Sequence, residues 1–285
     1  PFAARDALPL GLEEELFILS AVQGHPNVAR LHGLFFLAGE EARRRARRNG
    51  LLEGDDEEGE LPIVSSCFNG GGNGAAADGT ADSVTRERED APVWALVTDY
   101  YFRGNLYRSL GRVPSEARAQ EVMRGLLSGL HHIHDRGVIH RDVKIEHIFV
   151  SDNGQPVLAD FESACWADDR REICRRVGTP GYMAPEMFME RVYNEKVDVF
   201  AAGVVMFFAL SRVQPFLGGN SASTQRRTCH LEVEFPRYSA FDLIGRPCKD
   251  LLHWMLVKNP GRRPHADEAL DHAWFAEEGT VPSAP

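Results

Sequence analysis

Three short segments of the sequence concentrate residue types that can perform chemistry. The first is His140-Arg141-Asp142-Val143-Lys144. The second is residues 157–161, Val-Leu-Ala-Asp-Phe, and the third is residues 178–186, Gly-Thr-Pro-Gly-Tyr-Met-Ala-Pro-Glu. Carboxylates can accept a proton from a hydroxyl or hold a metal ion, and a lysine can neutralise anionic oxygen atoms. Because charged residues beside apolar strand residues are costly to keep for packing alone, Asp142, Lys144 and Asp160 are candidates for chemistry.

In this order and spacing, the three segments resemble the eukaryotic protein-kinase family. The resemblance runs from about Leu10 to Phe275 and is broken only by an insert. It implies an α+β, two-lobed fold with an incomplete small lobe and a mostly helical large lobe. The end of the match, residues 264–275, is similar to the end of calcium/calmodulin-dependent-type kinases. Lys144 and Gly178-Thr179-Pro180 resemble the serine/threonine members, which implies transfer of the ATP γ-phosphate to serine and threonine hydroxyls of a protein substrate.

The same resemblance assigns roles to individual residues. Asp142 would accept the proton of the acceptor hydroxyl, Lys144 would reach the transferring phosphate, and Thr179 belongs to the acceptor-side motif. The implied cofactors are ATP and Mg²⁺, with Asp160 as the carboxylate that holds the metal ion. The residues expected at the nucleotide are Glu15, Thr98, Asp99, Tyr100, Tyr101, Leu106, Glu146, Phe149 and Asp160.

Other matching positions would hold the fold whether or not the protein is active. Asp198 matches an aspartate that anchors an apolar stack between the two lobes. Glu186 and Arg263 match a buried ion pair of the large lobe. The members of the stack are Leu19, Leu31, His140 and Phe161.

Two positions depart from the family pattern. His147 stands where active kinases usually have asparagine, and Glu162 follows Asp160 and Phe161 where glycine is usual. Mg²⁺ prefers hard oxygen ligands, whereas a neutral imidazole suits softer transition metals. Glu162, in turn, adds a carboxylate beside the site. We therefore expect a metal set of Asp160, His147 and Glu162, with Mn²⁺ as the alternative to Mg²⁺.

Three functions remain open on the sequence alone. Asp142, Lys144 and Asp160 favour an active kinase. His147, Glu162 and missing strands favour a pseudokinase, a binding or scaffold module that keeps the fold without efficient catalysis. Only the insert favours a non-catalytic interaction protein.

The segment between Asp160 and Glu186 predicts how the protein is activated. Its only serine and threonine residues are Ser163 and Thr179. Where many relatives carry an activating phosphothreonine, this chain has Arg175, which would repel Arg141. We therefore expect activation to be independent of phosphorylation in this segment. Nearby carboxylates that could pair with Arg141 instead are those of Asp168, Asp169 and Glu172.

Helices and strands are needed to position these residues. Apolar spacing predicts a helix over 10–22, and Ser115 can cap a long helix that ends at Gly137. Strands are predicted at 28–37, 93–98, 148–150 and 157–159, and helical patterns dominate from 185 to 275.

The predicted organisation is a partial small lobe at 1–98, a helical large lobe at 99–275 and a tail at 276–285. Residues 38–92 form the insert, which contains an arginine-rich run, an acidic run and a stretch rich in Gly and Ala. Because few large apolar residues could offset its ordering entropy, we expect the insert to be disordered. A glycine-rich loop and the ATP-contacting lysine are expected to precede Pro1.

Composition limits the partners. The 285 residues include 32 basic and 42 acidic side chains, and a net charge of −10 argues against bulk binding to nucleic acid. The longest apolar run, residues 199–210, is too short to span a bilayer and indicates a buried helix. Five scattered cysteines suit a reducing compartment. We expect a monomer that binds a protein substrate, without nucleic acid or membrane partners, in the cytoplasm, with the nucleus left open by the arginine run.

Overall fold

The structure is a computed structural model that describes residues 10–37, 64–69, 93–110, 114–237 and 239–276. Its first elements are helix α1 (Leu10–Ala21) and strands β1 (Leu31–Leu37), β2 (Val64–Asn69) and β3 (Val93–Thr98). The later helices are α2 (Leu106–Ser109), α3 (Glu116–Asp135), α4 (Pro185–Phe188), α5 (Lys196–Ser211), α6 (Ser221–His230), α7 (Arg246–Met255), α8 (Ala266–Leu270) and α9 (Ala273–Ala276). The later strands are β4 (Val138–Ile139), β5 (Ile148–Val150), β6 (Pro156–Leu158) and β7 (Cys165–Trp166). This mixture is the predicted α+β class.

The first three strands form one antiparallel sheet in the order β1-β3-β2. Strand β2 lies inside the insert that we predicted to be disordered, so the prediction is wrong for these six residues. Backbone pairing of residues 64–69 with β3 explains the difference, because a short segment within a polar insert can be ordered by hydrogen bonds to a neighbouring strand. The rest of the insert, residues 38–63 and 70–92, lies outside the described residues, as does the tail from 277 to 285.

Helix α3 begins where the sequence predicts, at the Ser115 cap. The Ser115 hydroxyl accepts the backbone N–H of Arg118 at 3.2 Å. One face of α3 lies against the loop after α1, at Asn27. There the approach is so close that a Cβ added to Gly129 would lie 2.8 Å from the Asn27 carbonyl oxygen. Glycine is therefore required by packing in the middle of this helix.

Two neighbouring histidines lie where α3 contacts the loop after α1, a contact region that we call the joint. The rings of His25 and His132 lie 4.6 Å apart. The His25 Nδ1 atom accepts the backbone N–H of Asn27 at 3.2 Å, and its Nε2 atom lies 3.2 Å from the Ser128 hydroxyl. His132 Nε2 contacts the carbonyl of Val22 at 3.0 Å. These contacts tie the end of α1 to α3.

Helix α5 lies at the centre of the large lobe. Thirteen of its sixteen residues are buried, as expected for a helix that is apolar on all sides. None of the helices in the described ranges has both the length and the apolar character needed to cross a membrane.

The predicted ion pair of the large lobe is present. Arg263 is 1% exposed, and its guanidinium donates to both carboxylate oxygens of Glu186 at 2.6 and 3.1 Å. It also donates to the backbone carbonyls of Lys196 and Val257. This network satisfies a charge that would be costly to bury alone, and it fixes α4 against the loop before α8.

Candidate active site

The loop that carries Asp142 is anchored by a buried aspartate of α5. Asp198 is 1% exposed, and its carboxylate accepts the backbone N–H groups of His140 and Arg141, each at 2.8 Å. His134 on α3 contacts the same carboxylate at 2.9 Å. Arg141 has φ +68°, a left-handed conformation that costs a residue with a side chain about 1–3 kcal/mol. The Asp198 contacts stabilise that conformation.

The three predicted catalytic residues lie together. The Oδ1 atom of Asp142 accepts the backbone N–H of Thr179 at 2.8 Å and the Thr179 hydroxyl at 2.7 Å. The Lys144 ammonium donates to Asp142 Oδ2 at 2.8 Å and to the Thr179 hydroxyl at 3.2 Å. A carboxylate, a hydroxyl and a cation thus form one hydrogen-bonded cluster, with the Asp142 and Lys144 side chains 11% and 19% exposed.

Asp142 is held in its ionised form by these partners. Burial by itself would raise the pKa of the Asp142 carboxyl. Hydrogen bonds from Lys144 and Thr179 outweigh the burial, so the pKa lies below its ordinary value. At neutral pH Asp142 therefore presents a hydrogen-bond acceptor to any hydroxyl that replaces that of Thr179.

Gly178 allows the acceptor-side segment to reach the catalytic loop. It has φ +103°, and an added Cβ would lie 2.5 Å from the carbonyl oxygen of Arg141. Any other residue would be strained at that φ and would also collide with the loop. The next residue, Thr179, can bond Asp142 because of this close approach.

The predicted metal residues come together only in part. His147 Nε2 lies 3.0 Å from Asp160 Oδ2, and His147 Nδ1 lies 3.5 Å from Asp142 Oδ2. Glu162 is exposed, and its backbone N–H, rather than its side chain, contacts the Asp160 carboxylate. Within the described ranges, no three His, Cys, Asp or Glu side chains are placed to hold a metal ion.

The environment of Asp160 reflects its histidine neighbour. Burial would raise the pKa of the Asp160 carboxyl, but the hydrogen bond and the electrostatic interaction with His147 outweigh burial and lower the pKa. Asp160 with His147 offers one carboxylate and one imidazole, a donor set that fits Mg²⁺ poorly.

A cavity opens beside Asp160 between the two lobes. Six residues of the predicted nucleotide set line it, together with Leu19, Ala29, His147 and Ala159; the six are Glu15, Thr98, Asp99, Tyr101, Phe149 and Asp160. The other three predicted residues do not line this cavity: Leu106 is buried in the core, and Tyr100 and Glu146 are exposed. Sequence reasoning did not assign Ala29 and Ala159 to the site. Their small size within predicted strands was the only available signal.

The chemistry of the cavity suits the base of a nucleotide better than its triphosphate. Apolar side chains and the stacked rings of Tyr101 and Phe149, 5.5 Å apart, suit a flat aromatic base. The charged lining residues are Glu15, Asp99 and Asp160, and no lysine or arginine lines the cavity within the described residues. The cavity therefore fits a base and does not by itself fit a triphosphate.

The segment between the second and third motifs is held by Arg141. Its guanidinium donates to the Glu172 carboxylate and to the Glu172 carbonyl, both at 3.0 Å. Arg175 donates to the other Glu172 carboxylate oxygen at 2.8 Å, and the Tyr193 hydroxyl donates to the Glu172 carbonyl at 3.1 Å. Of the three carboxylates predicted as partners of Arg141, Glu172 is the one that pairs with it.

Comparison with known proteins agrees with this geometry. The family described as "Protein kinase domain" matches residues 84–275. The chain is 33% identical over 189 residues to the serine/threonine-protein kinase PEPKR2 of Arabidopsis thaliana, covering 66% of this chain and 40% of that protein. It is 30% identical over 187 residues to the calcium/calmodulin-dependent protein kinase cmkB of Emericella nidulans, covering 63% and 46%. It is 31% identical over 208 residues to the calcium/calmodulin-dependent protein kinase type II subunit delta of Oryctolagus cuniculus, covering 71% and 38%. The chain thus spans less than half of the length of each of these relatives.

Proposed function

The chain belongs to the protein kinase domain family, and on this premise we propose that it transfers the γ-phosphate of ATP to serine and threonine hydroxyls of proteins. The observation that carries the proposal is the Asp142 cluster. Its carboxylate is ionised and accepts hydrogen bonds from the Thr179 hydroxyl and the Lys144 ammonium. The serine/threonine class is supported by the name of one relative, the serine/threonine-protein kinase PEPKR2.

In the proposed reaction, the substrate hydroxyl takes the place of the Thr179 hydroxyl on Asp142 Oδ1. Asp142 then orients this hydroxyl and accepts its proton as the bond from the hydroxyl oxygen to the γ-phosphorus forms and the bond from that phosphorus to the bridging oxygen breaks, with ADP as the leaving group. Lys144, 2.8 Å from Asp142, places a positive charge where anionic oxygens would gather. Bound ATP would supply the phosphoryl group. The donors at Asp160 fit Mg²⁺ poorly, and the roles of Asp142 and Lys144 do not depend on a metal ion.

A second candidate is a pseudokinase that binds partners without efficient transfer. The contact between His147 and Asp160 favours it, since an imidazole occupies one side of the carboxylate expected to hold a metal. The acidic lining of the cavity favours it as well, because a triphosphate is repelled by carboxylates.

Phosphate transfer by the full-length protein to peptides with a single serine, threonine or tyrosine tests these candidates. We expect transfer to serine and threonine, and Asp142→Asn should lower turnover by about 10²-fold or more. Asp250→Asn is the matched control, because Asp250 lies on α7 with its side chain 57% exposed. Transfer that is absent in the wild type, or equal in wild type and Asp142→Asn, would support the pseudokinase instead.

A further inference from the structure

The segment that leads into Thr179 carries exposed positive charge on a chain whose net charge is −10. Its exposed arginines are Arg170, Arg171, Arg175 and Arg176. Asp169 accepts the backbone N–H of Arg171 at 2.9 Å, and Glu172 lies between Arg141 and Arg175. Asp168 and Asp169 are both exposed and add two negative charges to this segment, because the backbone N–H groups bonded to Asp169 do not neutralise its charge.

Among the residues that the structure describes, three of these arginines have no carboxylate partner. In the part of the chain that the structure describes, no ion pair joins Arg170, Arg171 or Arg176 to an acidic side chain. Arg175, by contrast, is paired with Glu172 at 2.8 Å. The unpaired guanidiniums can therefore bind an anion from outside without first breaking an internal pair.

Arg176 is also held in place. Its guanidinium lies 5.0 Å from the ring centroid of Phe188, a buried residue of α4. The attraction between a cation and an aromatic face favours this position of the guanidinium and restricts its motion. A fixed guanidinium loses less side-chain entropy when it binds than a free one does.

Arg176 lies close to the acceptor position. It precedes Thr179 by three residues, a distance of at most about 11 Å along extended chain. Thr179 is bonded to Asp142, and Gly178 lies against the Arg141 carbonyl. A substrate side chain a few residues from the acceptor hydroxyl can therefore reach the Arg176 guanidinium.

We infer that Arg176, with support from Arg170 and Arg171, forms a subsite for an anionic side chain of the protein substrate, a few residues from the acceptor serine or threonine. The ligand chemistry is a carboxylate or a phosphate ester, since either matches the two parallel N–H donors of a guanidinium. This inference rests on the proposed function and names the substrate class for the same site.

Peptides with one acceptor serine, identical except at one position, test the subsite. At each of the four positions on either side of the serine, the peptides carry alanine, aspartate, phosphoserine or lysine. With the full-length protein, we expect aspartate to raise kcat/KM about threefold to tenfold over alanine at one or two positions, and lysine to lower it. A larger effect of phosphoserine than of aspartate would identify a phosphorylated residue as the preferred ligand, and an equal effect a carboxylate.

Variants then assign the preference to Arg176. Arg176→Gln should bring the aspartate-to-alanine ratio to about one, and Arg176→Lys should restore part of it. Arg246→Gln is the matched control: Arg246 lies on α7 with its side chain 92% exposed, and its replacement should leave the ratio unchanged. A ratio that survives Arg176→Gln and also the combined replacement of Arg170, Arg171 and Arg176 by glutamine would overturn the subsite.

Binding measurements keep this test separate from that of the proposed function. If no peptide is phosphorylated, the proposed function fails, but fluorescence anisotropy of labelled peptides still measures the subsite. Tighter binding of the aspartate or phosphoserine peptide than of the alanine peptide, lost in Arg176→Gln, would support it. Equal binding of all the peptides, or preferred binding of the lysine peptide, would overturn it.

Discussion

The guanidinium of Arg141 is buried, and Glu172 balances its charge from within the same chain. Burial by itself would raise the pKa of Glu172, but hydrogen bonds from Arg175 and Arg141 outweigh it and keep the pKa below its ordinary value. Glu172→Gln should destabilise the protein by about 1–3 kcal/mol, because it leaves a buried cation without its counter-charge. Urea unfolding measures this, with Asp168→Asn, an exposed neighbour, as the control. Equal effects of the two replacements would contradict the assigned role.

The same pair predicts that the active full-length protein needs no phosphate in this segment. Since Glu172 already neutralises Arg141, phosphatase treatment should leave turnover unchanged. Phosphopeptide mapping combined with activity before and after treatment is the measurement. A stoichiometric phosphate at Ser163 or Thr179 whose removal abolishes activity would show that the segment is ordered in another way.

The position of His147 beside Asp160 predicts which metal ion the protein prefers. An imidazole nitrogen 3.0 Å from Asp160 suits Mn²⁺ better than Mg²⁺. We expect Mn²⁺ to support nucleotide binding by the full-length protein better than Mg²⁺ does, and His147→Asn to restore the use of Mg²⁺. The thermal shift caused by a nucleotide together with Mn²⁺ or Mg²⁺ measures this binding without requiring turnover. If the two metals perform equally before and after the replacement, His147 has no influence on the metal.

Among the elements, the joint between α3 and the loop after α1 is sensitive to a single methyl group. Gly129→Ala should destabilise the protein by about 1–3 kcal/mol, because the added Cβ collides with the Asn27 carbonyl. Gly11→Ala on α1 meets nothing within 4 Å, so it should stabilise by about 0.5–1 kcal/mol through helix propensity. Thermal unfolding of both variants gives the comparison. A stable Gly129→Ala protein would mean that the helix and the loop can separate without cost.

Elements with local signals could be predicted from the sequence, and those that depend on distant pairing could not. The Ser115 cap predicts the long helix that follows it, and the apolar run predicts the strand Val93–Thr98. Strand β2 could not be predicted in this way, because its stability comes from pairing with β3 and the insert around it is polar. The start of β1 was misplaced for a similar reason: Val28 forms only an isolated bridge, with Leu158, and the strand begins at Leu31.

The candidate site shows the same division. Asp142, Lys144 and Thr179 were predicted together, and they meet because motif order fixes them on neighbouring loops. The predicted metal set did not converge, because sequence proximity of Glu162 to Asp160 says nothing about where its side chain points. Likewise, the sequence could not distinguish Asp168, Asp169 and Glu172 as partners of Arg141. In the structure the backbone brings Glu172 to Arg141.

At the scale of the whole molecule, we expect stability to fall as the pH drops below about 6.5. Burial lowers the pKa of His25, and the positive charges of His132, Arg136 and His131 lower it further. Burial also lowers the pKa of His140 and His272. The unfolded chain then binds more protons than the folded one below the ordinary histidine pKa, so stability is lost from there down to the folded pKa values.

His25→Asn separates the contribution of His25 to the loss of stability at low pH from the contributions of His140 and His272. Asparagine keeps a neutral acceptor for the Asn27 N–H but does not titrate, so the fall in stability on acidification should be shallower. Urea unfolding at a series of pH values between 5 and 8 provides the profile. Superimposable profiles for the variant and the wild type would rule out His25 as a source of the acid sensitivity.

The anchoring of the catalytic loop by Asp198 has a consequence for the synthesis of the protein. Asp198 follows Arg141 by 57 residues and His140 by 58. A ribosome that adds roughly 5–20 residues per second makes Asp198 about 3 to 11 s after Arg141. A nascent chain that ends before α5 therefore lacks the carboxylate that stabilises the left-handed Arg141, and the catalytic loop acquires its shape only once translation has passed that helix.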